Sequence, residues 1–168
     1  MPYEKKVKDL MIHLEDYPHI PYWFTLRQAM AIVREAAVKF EGTFEPRAVL
    51  VFDEKYQLMG ILTLRDIIKG LEPRFLKETE LIKADPSLAI LMGDLFGPGL
   101  KEASQRPVSE VMSPIKVTIP GSDPIAKGIF LMIKEDVGLA PVMEGGKVMG
   151  MIRLSDLFKE ISDLVLGD

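Results

Sequence analysis

One short phrase occurs twice in this chain, and it constrains the fold more than any bulk property. Residues 60–66 read GILTLRD and residues 150–156 read GMIRLSD. Both have a glycine, two apolar residues, a leucine four places after the glycine and an aspartate six places after it. Other pairs keep the same order. VKDLM (7–11) is echoed by VSEVM (108–112), 101 positions later. TLRQAMAIV (25–33) is echoed by SDPIAKGIF (122–130), 97 positions later, and the glycine phrase returns after 90. Ordered echoes at shrinking separations indicate two units of one plan. The first copy carries about four extra residues before its helix and seven after it. Each copy is too small to bury an apolar face comfortably alone.

The plan can be read from local pattern. In the first copy Thr25 is an N-cap for a helix through about Phe40, with Ala29, Ile32, Val33 and Ala36 at helical spacing. AVLVF (48–52) reads as a buried strand, DEKY as a turn and QLMGILT (57–63) as a second strand, followed by a short helix that stops near Gly70. In the second copy Ser122 caps a helix with Pro124 in its first turn. LAPVM (139–143) and KVMGMI (147–152) flank the turn EGG (144–146), a hairpin signal. The last helix carries Leu157, Phe158, Ile161, Leu164 and Val165 on one stripe. A short strand, KVTI (116–119), precedes the second copy. Between the copies a structureless loop would be unusually long. Asp85 and Pro86 instead start a helix whose stripe is Leu88, Leu91, Met92, Leu95 and Phe96, ended by GPG (97–99). The expected division is 1–71 for the first repeat, 72–106 for a helical linker and 107–168 for the second repeat.

Composition removes several functions. Apolar residues make up 48% of the 168, enough for a sizeable core, and charged residues make up 27%. A net charge of −4 and a pI near 5.3 argue against general nucleic-acid binding, which needs a basic face. The absence of cysteine excludes disulfides, thiolate zinc sites and a cysteine nucleophile. MPYEKKVKDLM has no apolar segment behind its basic residues, so no signal peptide is expected. No run approaches the roughly 18–20 apolar residues of a membrane helix, so the expected location is the cytoplasm, away from membranes. His13 and His19 sit with Glu15 and Asp16 in IHLEDYPHIPYW; they read as a polar loop rather than a metal site. Tyr17, Tyr22, Trp23 and Phe24 read as core or interface. Met11, Met30, Met112 and Met132 read as core filling. There is no P-loop, HExxH, GxSxG or G-x-G-x-x-G, hence no catalytic residue, no metal site and no enzyme are expected.

The repeated aspartates have two readings. Thr63 and Asp66 fit a capping box, with the hydroxyl accepting from the N3 amide and the carboxylate accepting from the N-cap amide. An acidic group in the first turn also suits the helix dipole. In the second copy Arg153 replaces the threonine and cannot accept, yet Asp156 remains; Ser155 could cap instead. The other reading is a ligand. A strand running into a helix N-terminus is an anion site, and a carboxylate there can accept from a ribose diol.

VSEVMSPIKVTI, LAPVMEGGKVMGMIRLSDLF and LMGILTLRDII together make the chain resemble a tandem pair of CBS (cystathionine β-synthase) domains, a Bateman-type module, over about 7–165. The resemblance implies an α+β fold: two βαββα repeats about a pseudo-twofold axis, here with the linker helix added. It implies clefts for AMP, ADP, ATP or S-adenosylmethionine, with no cofactor required. Carried over, Thr63, Asp66 and Asp156 would serve the ribose. Arg153 departs from the family's threonine or serine; it either weakens that cleft or supplies a phosphate contact. Arg65 and Lys116 are further phosphate candidates. The expected function is a regulatory sensor that binds an adenosine ligand and signals to an effector protein on another chain. The alternative is a dimerisation module with degenerate clefts. The apolar helical faces predict a homodimer.

Overall fold

The computed structural model describes residues 5–39, 48–71 and 99–167. The expected linker helix and its stripe Leu88, Leu91, Met92, Leu95 and Phe96 lie outside them. In chain order the named elements are α1 (Val7–Leu10), β1 (Ile12–His13), β2 (His19–Pro21), α2 (Leu26–Lys39), β3 (Ala48–Phe52), β4 (Leu58–Thr63), α3 (Leu64–Leu71), β5 (Ile119–Pro120), α4 (Ile125–Lys134), β6 (Leu139–Glu144), β7 (Lys147–Arg153) and α5 (Leu154–Leu166). This is the mixed α+β fold the repeats predict. Among the described residues two sheets form, with strand orders β2-β3-β4 and β1-β7-β6-β5.

The chain divides into two compact units, Ile20–Ser113 and Met1–His19 with Pro114–Asp168. These are not the sequence copies laid end to end. Each sequence copy opens with a VxxhM segment, and each segment packs into the unit built by the other copy.

In the 20–113 unit the hairpin β3–β4 runs antiparallel, pairing Ala48 with Thr63 and Leu50 with Ile61. β3 is buried along its whole length. A continuous apolar run is what a strand covered on both faces requires. Asp53 stabilises the turn, accepting from the Lys55 and Gln57 amides at 2.8 Å each. Thr25 caps α2 as expected: the Gln28 amide donates to its Oγ1 at 3.2 Å and Gln28 Oε1 accepts from the Thr25 amide at 2.9 Å. Ala29, Val33 and Ala36 are buried on α2, and Ile32 is half-buried. Val108 completes this core, fully buried with Leu26, Val49, Val51 and Leu62. Its amide donates to the Phe24 carbonyl at 2.7 Å.

The other unit repeats the arrangement. β6 and β7 form the hairpin, turning at Gly145 and Gly146 with φ of 57° and 78°. Positive φ at both turn residues matches a type I′ turn and favours glycine. Val7, from the first copy's opening segment, is fully buried with Ile119, Met132, Val142 and Ile152. Its amide donates to the Asp123 carbonyl at 3.0 Å.

Three expectations change. α4 starts at Ile125 with Pro124 as N-cap and no side-chain cap, so Ser122 does not cap it. The strand expected over 116–119 shrinks to Ile119–Pro120, running parallel to β6. Met132 is core in one unit with Met11 packed against it, and Met112 packs against the separate core of the 20–113 unit, but Met30 is exposed on α2. On α5 the expected stripe is not covered within the chain: Leu157 is buried, and Phe158, Ile161, Leu164 and Val165 face outward.

Candidate functional site

Both motif glycines solve the same steric problem. A Cβ on Gly60 would stand 2.8 Å from the Ser113 carbonyl oxygen, and a Cβ on Gly150 would overlap the Ile12 carbonyl outright. Each glycine lets the chain that follows a VxxhM segment lie against the hairpin. Ile12 pairs with Met151 and His13 with Gly150. Ser113 bridges Ile61, with amide-to-carbonyl bonds of 2.8 and 2.9 Å.

At the first motif this approach delivers a side chain. Thr63 and Asp66 form the capping box: the Asp66 amide donates to Thr63 Oγ1 and the Thr63 amide to Asp66 Oδ2, each at 3.0 Å. Ser113 Oγ then donates to the Asp66 carboxylate, 2.9 Å from Oδ1 and 3.0 Å from Oδ2. The hydroxyl has one proton, so it serves one oxygen at a time. A carboxylate offers about four acceptor positions. The cap and the serine use about two, so Asp66 retains capacity for a diol.

The second motif keeps half of the box. Asp156 Oδ2 accepts from the Arg153 amide at 3.1 Å. The guanidinium, which has no acceptor, turns onto the same carboxylate: Nε donates to Oδ2 at 3.0 Å and Nη2 to Oδ1 at 2.8 Å. The paired side chains are only 20% and 18% exposed. Ser155 lies inside α5 and does not cap it. Ile12 stands at the position corresponding to Ser113 and brings no hydroxyl.

The structure thus brings Thr63 and Asp66 together and adds Ser113, which sequence reading missed. Its signal was the hydroxyl directly after VSEVM, with no counterpart after VKDLM. Arg65 is exposed on α3, and Lys116 is exposed and belongs to the other unit. His13 lines a cavity of about 410 Å³ with Lys8, Asp9, Met11, Glu144 and Met149. The described residues hold no group of three or more metal-ligating side chains. No described helix is long and apolar enough to cross a membrane. In the 20–113 unit an open cleft of about 760 Å³ lies between α2, α3 and a helical turn over 99–103. Its floor includes Met30, Val33, Ile67 and Leu71, with Arg27, Arg34 and Lys101 also lining it.

The family described as CBS domain matches residues 7–73 and 108–163. No curated protein matches the chain. Among solved structures, a CBS domain-containing protein of unknown function from Bacillus anthracis str. Ames Ancestor is 20% identical, with a TM-score of 0.68, over 94% of this chain and 93% of that one. CBSX2 in complex with AMP is 15% identical, with a TM-score of 0.63, over 96% and 98%. The cytosolic domain of the Mg2+ channel MgtE in complex with ATP is 22% identical, with a TM-score of 0.63, over 94% of this chain and 49% of that one. At these identities the likeness is one of fold.

Proposed function

This chain belongs to the CBS domain family, and we propose that it is a non-catalytic cytoplasmic regulatory module that binds an adenosine-containing ligand at Asp66 and passes that state to a partner protein. The observation that carries the reading is the Asp66 carboxylate. It is fixed by the Thr63 amide and the Ser113 hydroxyl, yet keeps lone pairs for a ribose diol. A cap alone does not need Ser113. Two fold neighbours described as AMP- and ATP-bound support an adenine nucleotide as the ligand class. Arg65, one residue before Asp66 and solvated, is the phosphate candidate within the same unit.

Calorimetry with AMP, ADP, ATP and S-adenosylmethionine tests this on wild type and Asp66→Ala. One of the four should bind wild type. Losing a charge-assisted hydrogen bond, roughly 1.5–3 kcal/mol, should weaken it about ten- to hundred-fold in the variant. Equal binding by both proteins would leave Asp66 a cap only.

The exposed apolar residues favour a second reading, self-association. α4 and α5 pack together and leave Phe130, Ile133, Phe158, Ile161, Leu164 and Val165 exposed. Phe158 and Val165 are 70% and 72% exposed. Apolar patches of a few hundred Å² are rare on soluble monomers unless they function in contacts. A homodimer covering this face is compatible with the sensor; if no ligand binds, dimerisation becomes the main role.

A further inference from the structure

The two motifs differ in what already occupies the carboxylate. A ribose presents two neighbouring hydroxyls, which donate to the two oxygens of one carboxylate. The Arg153 guanidinium presents two parallel donors to the two oxygens of Asp156, at 3.0 and 2.8 Å. This fork occupies the positions a diol would use. It is charged where the diol is neutral, and bidentate guanidinium–carboxylate pairs are the stronger kind. It is tethered three residues away, so it competes without loss of translational freedom. With both partners about four-fifths buried, solvent screens the pair little.

We propose that Arg153 acts as a built-in surrogate for the ribose, closing the second motif, so that the chain takes one adenosine ligand and Arg153 decides which copy receives it. This rests on the reading that the motif carboxylate is the ribose acceptor. Asp66 faces only a weaker competitor among the described residues: Ser113 offers it one neutral hydroxyl with a single proton, and Thr63, which stands where Arg153 stands, accepts from the Asp66 amide rather than donating to the carboxylate. The backbone of the second motif is otherwise intact. The Arg153 amide still donates to Asp156, and Gly150 still admits the crossing segment. Removing the guanidinium should therefore expose a preformed acceptor. Ile12 supplies no hydroxyl where Ser113 does, so the opened site should bind about tenfold more weakly than the Asp66 site.

Calorimetry with AMP, ADP and ATP on Asp66→Ala, on Asp66→Ala with Arg153→Thr, and on that pair with Asp156→Ala provides the test. Asp66→Ala should keep at most a residual site about ten- to hundred-fold weaker than that of wild type, Arg153→Thr should add to it one site per chain that Asp156→Ala removes, and wild type should show one site and Arg153→Thr alone two. Arg153→Gln, which keeps bulk and removes the charged fork, replaces Arg153→Thr if the threonine variant loses its folded circular dichroism. Binding to wild type at two sites, one of them lost in Asp156→Ala, would overturn the proposal. So would a folded Asp66→Ala, Arg153→Thr protein that binds none of the three. If wild type binds no nucleotide, the ligand reading of Asp66 fails by itself, and the double variant still decides: Asp156-dependent binding supports closure by Arg153, and no binding overturns it.

Discussion

Gly60→Ala isolates the close approach on which the site depends. The new methyl carbon would lie 2.8 Å from the Ser113 carbonyl oxygen and 2.9 Å from Met112 Sδ. An ordinary carbon–oxygen contact is about 3.3 Å or more, so the carbonyl must retreat by about half an ångström. The Met112 side chain can swing aside cheaply. The carbonyl cannot, because it accepts from the Ile61 amide at 2.9 Å while the Ser113 amide donates back at 2.8 Å. Overpacking of this kind costs about 1–3 kcal/mol. If one bridge bond breaks, roughly 0.5–1.5 kcal/mol is added. The expected loss is about 2–4 kcal/mol, a large share of a domain's usual 5–15. In urea the midpoint should fall by roughly 1–2 M. Amide exchange at Ile61 and Ser113 should speed up, and nucleotide affinity should fall because Ser113 moves away from Asp66. Gly150→Ala, where the methyl would overlap the Ile12 carbonyl, should cost more. Gly145→Ala has open space around it and should cost only the price of a positive φ, about 1 kcal/mol. A Gly60→Ala protein within 0.5 kcal/mol of wild type, with Ile61 still protected, would show that close approach is not what requires glycine here.

Asp66→Ala should lower stability of the free protein by roughly 0.5–2 kcal/mol through loss of the cap, read from urea melts. Ser113→Ala should leave the cap in place, cost about 1 kcal/mol or less, and weaken nucleotide binding about tenfold by freeing the carboxylate to reorient. Leu62→Ala, at a fully buried β4 position, should cost about 2–5 kcal/mol and lower the thermal midpoint by several degrees in calorimetry. Light scattering should show a species larger than the 18.8 kDa chain, and Phe158→Glu should return it to that mass; an 18.8 kDa wild type at micromolar concentration would remove the dimer.

The features legible in the sequence were those whose partners lie within a few residues. The Thr63–Asp66 box spans three positions, the EGG turn two strands of one hairpin, and the α2 face successive turns of one helix. In each case helix or strand geometry fixes which side chains meet. The Arg153–Asp156 pair obeys the same rule, since positions three apart share a helix face. What blurred it was chemistry rather than distance: a guanidinium suits a ligand phosphate as well as a neighbouring carboxylate. Ser113 was not legible because it reaches Asp66 across 47 residues, and periodicity carries no information about partners that far apart. The exchange of Val7 and Val108 between the copies has the same cause. Each VxxhM segment shows that it needs an apolar pocket, and duplicated hairpins offer two that are alike. The glycines hold the trace of the answer. Gly60 and Gly150 mark where a second backbone crosses the hairpin, and the residues that do so directly follow VKDLM and VSEVM, the segments that open the two copies. The repeat that defines the fold is therefore also what couples Asp66 to Ser113: the residue that completes the first motif arrives on the first few residues of the second copy.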